Sequence, residues 1–406
     1  MKKLFCFLLM FILAHIICVN DFVFSAPNNP SKVNVYYKTS EINTEISELV
    51  SLVNIDSLEY YVQYLQNFGS RYYATQTCVD AQNWIKEHFD KYGYETELHN
   101  VRGYVSHNVI AVKTSSVYPN EYIVCGAHYD SINWQDFSGD APGADDNATG
   151  TAGMMEIARL LSDKEFERTI IICTFTAEEI GLQGSADYAL RCKEQGMNIL
   201  GYINIDMSGY KSSEDEEFRT MVVFPEDARG LFEYYQTTTG LYVPELLVEE
   251  GELSVWYDSD HTSFNRNGYP AIFPFEYDMN PYLHTAGDTI GTSVNSFQQV
   301  KLFTQACLAS VASLADVASS TSNHNDKNTV EDIAIYPNPT KTFLNFEAAC
   351  PITKIEIYNK SGELVFRNEY DENRVSIDTG NISQGLYLVS VCYCDDVVTR
   401  RIIIGK

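Results

Sequence analysis

The sequence has no excess of basic residues: 28 Lys and Arg stand against 55 Asp and Glu, giving a formal net charge of −27. Phosphate groups would be repelled by such a chain and no Lys/Arg cluster appears, which argues against a nucleic-acid partner. The sequence also has no CxxC pair, so a zinc site built from thiolates is not expected. The spacing of its ten cysteines suggests no disulfide framework.

After the first residues, no apolar run reaches the length of a membrane span, so no transmembrane segment is expected. The chain begins with MKK and LFCFLLMFILAHIICV, and the small residues Ser25 and Ala26 follow. A basic start, a short apolar stretch and small residues are typical of a secretory signal peptide. We therefore predict a signal peptide over 1–26, cleavage near Ala26, and a secreted or cell-surface protein.

Helical and strand-like segments alternate from Asp56 onward. Patterns such as DSLEYYVQYLQNFG and TGTAGMMEIARLLSD favour helices, and the apolar runs EYIVCGA and RTIIICTFT favour strands. Several of these runs are apolar on both faces, which is typical of strands in a largely buried sheet. The sequence predicts an α/β fold with a mostly parallel mixed sheet flanked by helices.

The composition changes in the last quarter of the chain. Residues 319–330, SSTSNHNDKNTV, are polar and typical of a linker. Short alternating segments with turn signals follow and predict a small antiparallel β-sandwich over 331–406. We assign 56–318 to the α/β domain and 27–55 to either an N-terminal arm or a pro-segment.

Acidic residues and histidines collect at the ends of predicted strands or in loops beside them. They are His128 and Asp130 in AHYD, Asp145 and Asp146 in GADDN, Glu178 and Glu179 in TAEE, Asp206 in INID, and His284 in YLHT. In open α/β sheets, ligands and catalytic groups gather at the carboxyl ends of the strands. Imidazoles combined with carboxylates suit zinc, and manganese or cobalt as well.

Counting charges supports a site for two metal ions. Two divalent ions bring four positive charges, which Asp146, Glu179 and Asp206 together with one bridging hydroxide would balance. Each residue alone has an ordinary explanation, because a histidine at a strand end is usually a hydrogen-bonded core group and an Asp-Asp pair often caps a helix. It is their order along the chain that indicates a catalytic centre.

The order GAHYDS, APGADDNATG, FTAEEIGLQGS, INIDM and YLHTAGDT resembles that of the M28 metallopeptidases, the co-catalytic zinc aminopeptidases. The resemblance covers roughly residues 56–318 and implies two Zn²⁺ ions per chain. One zinc ion would be held by His128, Asp206 and Asp146. The second would be held by Glu179, His284 and the same Asp146.

The resemblance also implies roles for residues beside the metals. Glu178 would be the general base, Asp130 would orient His128, and the peptide bond between Asp146 and Asn147 would be cis. The implied reaction is the removal of N-terminal residues from peptides by a metal-bridging hydroxide.

The oxyanion donor and the substrate pocket leave alternatives open. In the family, the hydroxyl of a tyrosine ahead of the SDH motif donates to the oxyanion. Trp256 occupies the usual position of that tyrosine here, so the neighbouring Tyr257 is the candidate donor. The cysteine pair that braces this loop in relatives is missing. Met207, Phe275 and Tyr277 would line an apolar pocket for a hydrophobic N-terminal residue. The alternative is that Phe273 and Phe275 are simply core residues of a strand.

The C-terminal segments IYPNPTKTFLNFE, IEIYNKSGELV, ISQGLYLVSV and VVTRRIIIGK resemble the sorting domain of type IX secretion, over residues 331–406. This implies recognition by an outer-membrane secretion machinery, removal of the tail, and release or attachment at the cell surface. The alternative is a carbohydrate-binding or adhesive sandwich, for which no exposed aromatic platform is evident.

Other functions remain open beside a monomeric aminopeptidase with peptide substrates. A carboxypeptidase or dipeptidase of the same family differs only in its loops. Glutaminyl cyclases share HYDS but use a single zinc ion, whereas this chain keeps both histidines and Asp146. A catalytically dead surface-binding protein would not need the complete ligand set. The triplet Ser259-Asp260-His261 is assigned to packing, since consecutive side chains diverge and cannot form a Ser-His-Asp triad.

Overall fold

The computed structural model describes residues 42–212, 217–251, 258–317, 333–359, 364–393 and 396–405. The predicted signal peptide 1–26, residues 27–41 of the predicted arm, the linker 319–330, Trp256 and Tyr257 all lie outside these ranges. Within them, no helix combines the length and apolar character needed to cross a membrane.

Eight α-helices lie between residues 42 and 317 in the described ranges. They are α1 Thr44–Ser51, α2 Ile55–Gln66, α3 Gln76–Lys91, α4 Gly150–Leu161, α5 Gln183–Glu194, α6 Arg229–Tyr242, α7 His261–Arg266 and α8 Phe297–Leu314. Helices α1, α2 and α3 start at Asn43, Asn54 and Thr75, whose side-chain oxygens accept main-chain N–H groups of the first turn. Such caps satisfy donors that a helix start leaves without partners.

Eight strands form one mixed sheet. They are β1 Glu95–His99, β2 Asn108–Lys113, β3 Tyr118–His128, β4 Arg168–Phe175, β5 Asn198–Asn204, β6 Phe218–Val223, β7 Leu246–Glu250 and β8 Ala271–Glu276. Their order is β1-β2-β4-β3-β5-β8-β6-β7. Strand β3 pairs in parallel with β4 and β5, β5 with β8, and β6 with β7, while the remaining pairs are antiparallel. The predicted mostly parallel mixed sheet is confirmed.

The central strands are buried because helices cover the sheet. In β4 every residue after Arg168 is buried, which explains why its sequence is apolar on both faces. Helix α8 is buried along most of its length. Helix α1, inside the predicted N-terminal arm, buries Ile46, Leu49 and Val50, and the Val50 carbonyl accepts a hydrogen bond from Gln305 Nε2 at 2.8 Å. Helix α1 is therefore packed as part of the α/β domain.

The C-terminal residues form a separate five-stranded antiparallel sheet. Its strands are β9 Ile333–Tyr336, β10 Phe343–Asn359, β11 Leu364–Asp378, β12 Gly385–Tyr393 and β13 Asp396–Ile404. The order is β11-β10-β12-β13, and β9 pairs with β10. Alternate residues of β12 are buried, as expected for a sheet with one face on a core. The predicted antiparallel β-structure is confirmed.

One described cysteine is in a disulfide. Cys350 in β10 is disulfide-bonded, whereas the sequence suggested no disulfide framework and left the pairing of the cysteines open. The other described cysteines are free thiols, and Cys125 and Cys173 are buried in the sheet as small core residues.

Candidate active site

Three neighbouring parallel strands end at one edge of the sheet and carry candidate ligands there. His128 is the last residue of β3, Glu178 and Glu179 follow β4, and Asp206 follows β5. Because β3 lies between β4 and β5 and runs parallel to both, these side chains come together at its carboxyl end. The remaining predicted ligands are Asp146, at a kink in the short π-helical segment Ala144–Thr149, and His284, in a loop.

Asp146 lies between the two histidines. Its Oδ1 is 3.2 Å from His128 Nε2, and its Oδ2 is 3.0 Å from His284 Nε2. Each histidine also faces a second carboxylate: His128 Nε2 is 3.3 Å from Asp206 Oδ1, and His284 Nε2 is 3.0 Å from Glu179 Oε2. The five predicted metal ligands therefore form a continuous row, Asp206–His128–Asp146–His284–Glu179, which we call the ligand row.

Glu178 stands beside the ligand row rather than in it. Its Oε2 lies 4.0 Å from His128 Nε2. The side chain of Glu178 is 11% exposed, whereas that of Glu179 is 3% exposed. The two adjacent glutamates thus occupy different environments, one tight against His284 and one closer to solvent.

Negative charge dominates the electrostatics of the ligand row. Burial opposes protonation of His128, but the charges of Asp206 and Glu178 hold its pKa well above the usual value. In His284, burial is likewise outweighed by Glu179 and Asp146, and the pKa rises to about 11. Burial, with Asp146 nearby, raises the pKa of Glu179 to about 8. All three pKa values rise because several negative carboxylates lie close together with little positive charge among them, which favours protonation of each group.

The row fits a divalent cation. Ligand atoms of His128, Asp146 and Glu179 lie within 4.8 Å of one another, as do those of His128, Glu178 and Asp206. Glu179 Oε1 is buried and has no hydrogen-bond partner among the described residues, although a buried carboxylate oxygen without a partner is costly. Mixed imidazole and carboxylate ligands are those of catalytic zinc sites.

Asp130 holds the ends of β3 and β4 together. Its Oδ1 accepts the N–H of Glu178 at 3.1 Å, and its Oδ2 accepts the N–H of Glu179 at 3.4 Å. His128 Nδ1 lies 3.2 Å from the Asp130 carbonyl oxygen and 3.5 Å from its Oδ1. Asp130 therefore lies beside His128, and it also fixes the backbone of both glutamates, which the sequence did not indicate.

Ser259 supports the opposite end of the row. Its hydroxyl donates to Asp206 Oδ2 at 2.7 Å and accepts a hydrogen bond from Asn204 Nδ2 at 2.8 Å. The sequence interpretation assigned the triplet with Asp260 and His261 to packing, and all three side chains are indeed buried. It missed the hydrogen bond to Asp206, which lies 53 positions earlier in the chain and which no local sequence pattern indicates.

Asp288 fixes the backbone that carries the shared ligand. Its Oδ1 accepts the N–H of Asp145 at 2.8 Å, and its Oδ2 accepts the N–H of Asp146 at 3.0 Å. The Asp146–Asn147 peptide bond is cis, as the family resemblance implied. Asp288 follows His284 in the motif YLHTAGDT but was not recognised as part of the site.

Three non-glycine residues at the site have a left-handed backbone. Ala177 precedes Glu178, Met207 follows Asp206, and His284 is itself a predicted ligand, with φ of 55°, 55° and 54°. Non-glycine residues rarely adopt this conformation, and it concentrates at functional sites. The ligand row is thus built from backbone that surrounding contacts hold in place.

The predicted substrate residues do not all come together. Met207 packs against a small apolar cluster of Val223, Phe273 and Phe275, and the last two rings stack at 4.7 Å between centroids. Phe275 is 4% exposed. Tyr277 is half-exposed and lies outside this cluster, with the Arg219 guanidinium 4.2 Å from its ring centre. Tyr257, the candidate oxyanion donor, lies outside the described residues.

Residues 108–307 match Peptidase family M28. A probable leucine aminopeptidase of Arthroderma benhamiae is 30% identical over 261 residues, which is 60% of this chain and 69% of the relative. The chain belongs to peptidase family M28. A probable leucine aminopeptidase of Trichophyton verrucosum is 29% identical over 63% of this chain and 72% of its own length. The prediction of an enzyme that hydrolyses peptide bonds is confirmed by the family.

Solved structures share the fold of this M28 chain. The Legionella pneumophila LapA aminopeptidase superposes with a TM-score of 0.61 at 25% identity, covering 68% of this chain and 77% of its own. The Bacteroides thetaiotaomicron glutaminyl cyclase reaches 0.54 at 20% identity over 64% and 97%, a likeness of fold alone. Residues 334–405 match a secretion system C-terminal sorting domain, which confirms the resemblance proposed for the tail.

Proposed function

We propose that this M28 peptidase is an aminopeptidase that works with two zinc ions and prefers hydrophobic N-terminal residues. The observation that carries the proposal is the ligand row, in which Asp146 offers one oxygen to each of two histidines. Each histidine has its own second carboxylate, Asp206 or Glu179. Two such half-sites joined by one carboxylate favour a pair of ions over the single ion of a glutaminyl cyclase.

The residues divide between the two ions as follows. His128, Asp206 and Asp146 Oδ1 would hold one, and His284, Glu179 and Asp146 Oδ2 would hold the other. Bound zinc would lower the pKa of a coordinated water and polarise the scissile carbonyl. Asp130 and Ser259 keep the ligands oriented through the hydrogen bonds described above.

Glu178 has the position of a general base. It is the more exposed of the two glutamates, and its backbone is fixed by Asp130. Its carboxylate would accept a proton from the attacking water and deliver it to the leaving amine. Glu178 also falls within ligand distance of His128 and Asp206, so it could instead bind a metal ion. The Glu178→Gln variant distinguishes the two roles, because loss of a ligand would lower the zinc content and loss of a base would not.

Substrate selection is proposed to begin at Met207. This residue directly follows Asp206 and packs on the apolar cluster with Phe275, so an apolar side chain bound there would lie beside the ligand row. Burial of a Leu- or Phe-sized side chain stabilises binding by about 1.5–3 kcal/mol. Tyr257 as oxyanion donor and Tyr277 as a pocket residue stay predictions.

The test uses the full chain and a set of matched peptides. Leucine amide, a free leucyl peptide, its N-acetylated form, a peptide with N-terminal glutamine and a glycyl peptide are incubated with enzyme before and after chelation, and zinc is measured. We expect cleavage of the free leucyl substrates, slower cleavage of the glycyl peptide, and recovery of activity when two zinc ions per chain are restored.

Other outcomes would point elsewhere. Cleavage of only the acetylated peptide from its carboxyl end would indicate a carboxypeptidase, and loss of ammonia from the glutaminyl peptide would indicate a cyclase. Full activity with one zinc ion per chain would contradict the two-ion site. Binding of peptides without turnover in the zinc-loaded protein would indicate a dead domain.

We also propose that the sorting domain directs export across the outer membrane to the cell surface or the medium. The match over residues 334–405 supports it. Mass spectrometry of the exported protein should find peptides from the α/β domain and none from β10 to β13. Retention of the full tail on the exported form would instead favour an adhesive sandwich.

A further inference from the structure

One large aromatic residue lies against the ligand row. The ring of Trp134 is 4.3 Å from the ring of His284 between centroids, with the planes inclined by 30°. The main-chain N–H of Trp134 donates to the His284 carbonyl oxygen at 3.1 Å. Trp134 nevertheless remains 57% exposed, so one part of it covers His284 and the rest faces solvent.

The exposure of Trp134 does not by itself indicate a binding site, because single apolar residues are common on protein surfaces. Its position beside the ligand row distinguishes it from other exposed aromatic residues. Phe137, in the same loop and equally exposed at 57%, is partnered by Tyr72 at 6.1 Å between ring centroids. Among the described aromatic contacts, Trp134 is the one that reaches a residue of the ligand row.

The ligand row therefore has apolar groups at both of its halves. Met207 follows Asp206 in the half that contains His128, and it leads to the apolar cluster with Phe275. Trp134 lies in the other half, on His284. A peptide whose scissile bond lies over Asp146 would direct its two flanking side chains towards these two halves.

We propose that Trp134 forms the wall of a subsite for the residue that follows the scissile bond, so that the enzyme prefers peptides with a large apolar second residue. The inference rests on the proposed aminopeptidase function, in which the Met207 side takes the N-terminal residue. An indole offers a broad, rigid surface at little cost in side-chain entropy. Its contact with the His284 ring fixes its orientation, while its exposed part is available for contact with substrate.

Two roles of Trp134 can be distinguished by the substrates that they affect: a structural role, in which it only covers His284, and a role as the wall of a subsite. A cover would act on every substrate alike, through the metal ligand. A subsite would act only on substrates that place a side chain against the indole. Removal of the ring loses both the buried apolar area and the aromatic pairing, so we expect binding of such substrates to weaken about tenfold, which corresponds to about 1.4 kcal/mol.

The experiment compares Trp134→Ala, Trp134→Phe and Phe137→Ala with the unaltered chain. Substrates are leucine amide, Leu-Ala and Leu-Phe, which share the N-terminal residue and differ after the scissile bond. In Trp134→Ala we expect KM for Leu-Phe to rise about tenfold and KM for leucine amide to change much less, so that the ratio of the two reports the subsite. Trp134→Phe should restore most of the affinity, and Phe137→Ala, the matched loop control, should behave as the unaltered chain.

A second readout does not depend on turnover. In the zinc-loaded Glu178→Gln variant, calorimetry measures binding of Leu-Phe and leucine amide with and without Trp134→Ala. Weaker binding of Leu-Phe alone supports the subsite. An equal loss for all substrates, or a loss of zinc in Trp134→Ala, overturns it and assigns Trp134 to support of His284.

The two proposals fail in distinguishable ways. If the unaltered chain cleaves none of the free leucyl substrates, the aminopeptidase proposal fails whatever the Trp134 variants do. If it cleaves them and Trp134→Ala leaves the preference for Leu-Phe over Leu-Ala unchanged, the subsite alone is wrong.

Discussion

The core of the α/β domain contains charged side chains, whereas the core of the C-terminal sheet is apolar. Asp130, Asp145 and Asp260 are fully buried in the first. In the second, the buried cluster consists of Leu, Ile, Val, Phe, Tyr and Ala, and the single buried charge among the described residues is Glu356. Glu356 is close to Lys354 at 3.2 Å and Arg367 at 3.5 Å.

The two cores differ in their buried carboxylates, and the position of these carboxylates in the α/β domain coincides with the candidate active site. Buried carboxylates cost stability unless they are hydrogen-bonded or neutralised, and in the α/β domain they gather at the edge where β3, β4 and β5 end. Among its described residues, the C-terminal sheet has no such cluster of buried carboxylates, and its one buried carboxylate, Glu356, lies near Lys354 and Arg367. Mutations should therefore affect chemistry in the first region and stability in the second.

The largest expected effect is that of Glu178→Gln. Loss of a general base should lower kcat by about 10²- to 10⁴-fold, while zinc content and melting temperature stay close to those of the unaltered chain. Steady-state kinetics and elemental analysis check both. Glu194→Gln, at the exposed end of α5, is the matched control. Loss of zinc in Glu178→Gln would show that Glu178 is a ligand.

In the C-terminal sheet, we expect the strongest effect from Leu344→Ala. Leu344 is fully buried in β10, and removal of such a side chain typically costs about 2–5 kcal/mol. The control Leu388→Ala alters a leucine of β12 that is 41% exposed and should change little. Chemical unfolding monitored by hydrogen exchange within 343–359 measures the cost. If Leu344→Ala instead lowered kcat, the two regions would not be separable.

Ser259→Ala tests the support of the ligand row. Without the hydroxyl, Asp206 loses a hydrogen bond of 2.7 Å, and loss of such an outer contact typically lowers metal affinity or activity by about 10- to 100-fold. Zinc titration and kinetics measure it. Ser263→Ala removes a buried hydroxyl that pairs with Ser185 and should leave zinc affinity unchanged. Equal effects of the two substitutions would indicate general destabilisation.

The smallest effect is expected from Arg374→Gln in the C-terminal sheet. Arg374 pairs with Glu347 across β10 and β11, and its side chain is 77% exposed. Exposed ion pairs contribute little because water and salt screen them, so the melting temperature should not change measurably. A clear decrease would mean that surface charge, and not the apolar core, holds this sheet together.

Much of the fold and of the ligand row could be predicted from the sequence. Strand-ending residues such as His128 and Asp206 follow apolar runs, and parallel strands place their carboxyl ends together. The outer contacts could not be predicted, because Ser259 and Asp288 reach the site from loops whose path no local pattern specifies. Trp134 was missed for the same reason. Its proposed role depends on contact with His284, a residue 150 positions further along the chain.

Asp288 links two of the predicted ligands, His284 and Asp146, through the loop that carries it. The loop that presents His284 also carries the carboxylate that holds the backbone of Asp145 and Asp146. A local opening of this loop would withdraw His284 and release Asp146, the ligand that the two proposed ions would share, in the same event. Loading with zinc should therefore be cooperative, and native mass spectrometry during a titration would find empty and doubly loaded chains with few singly loaded ones between them.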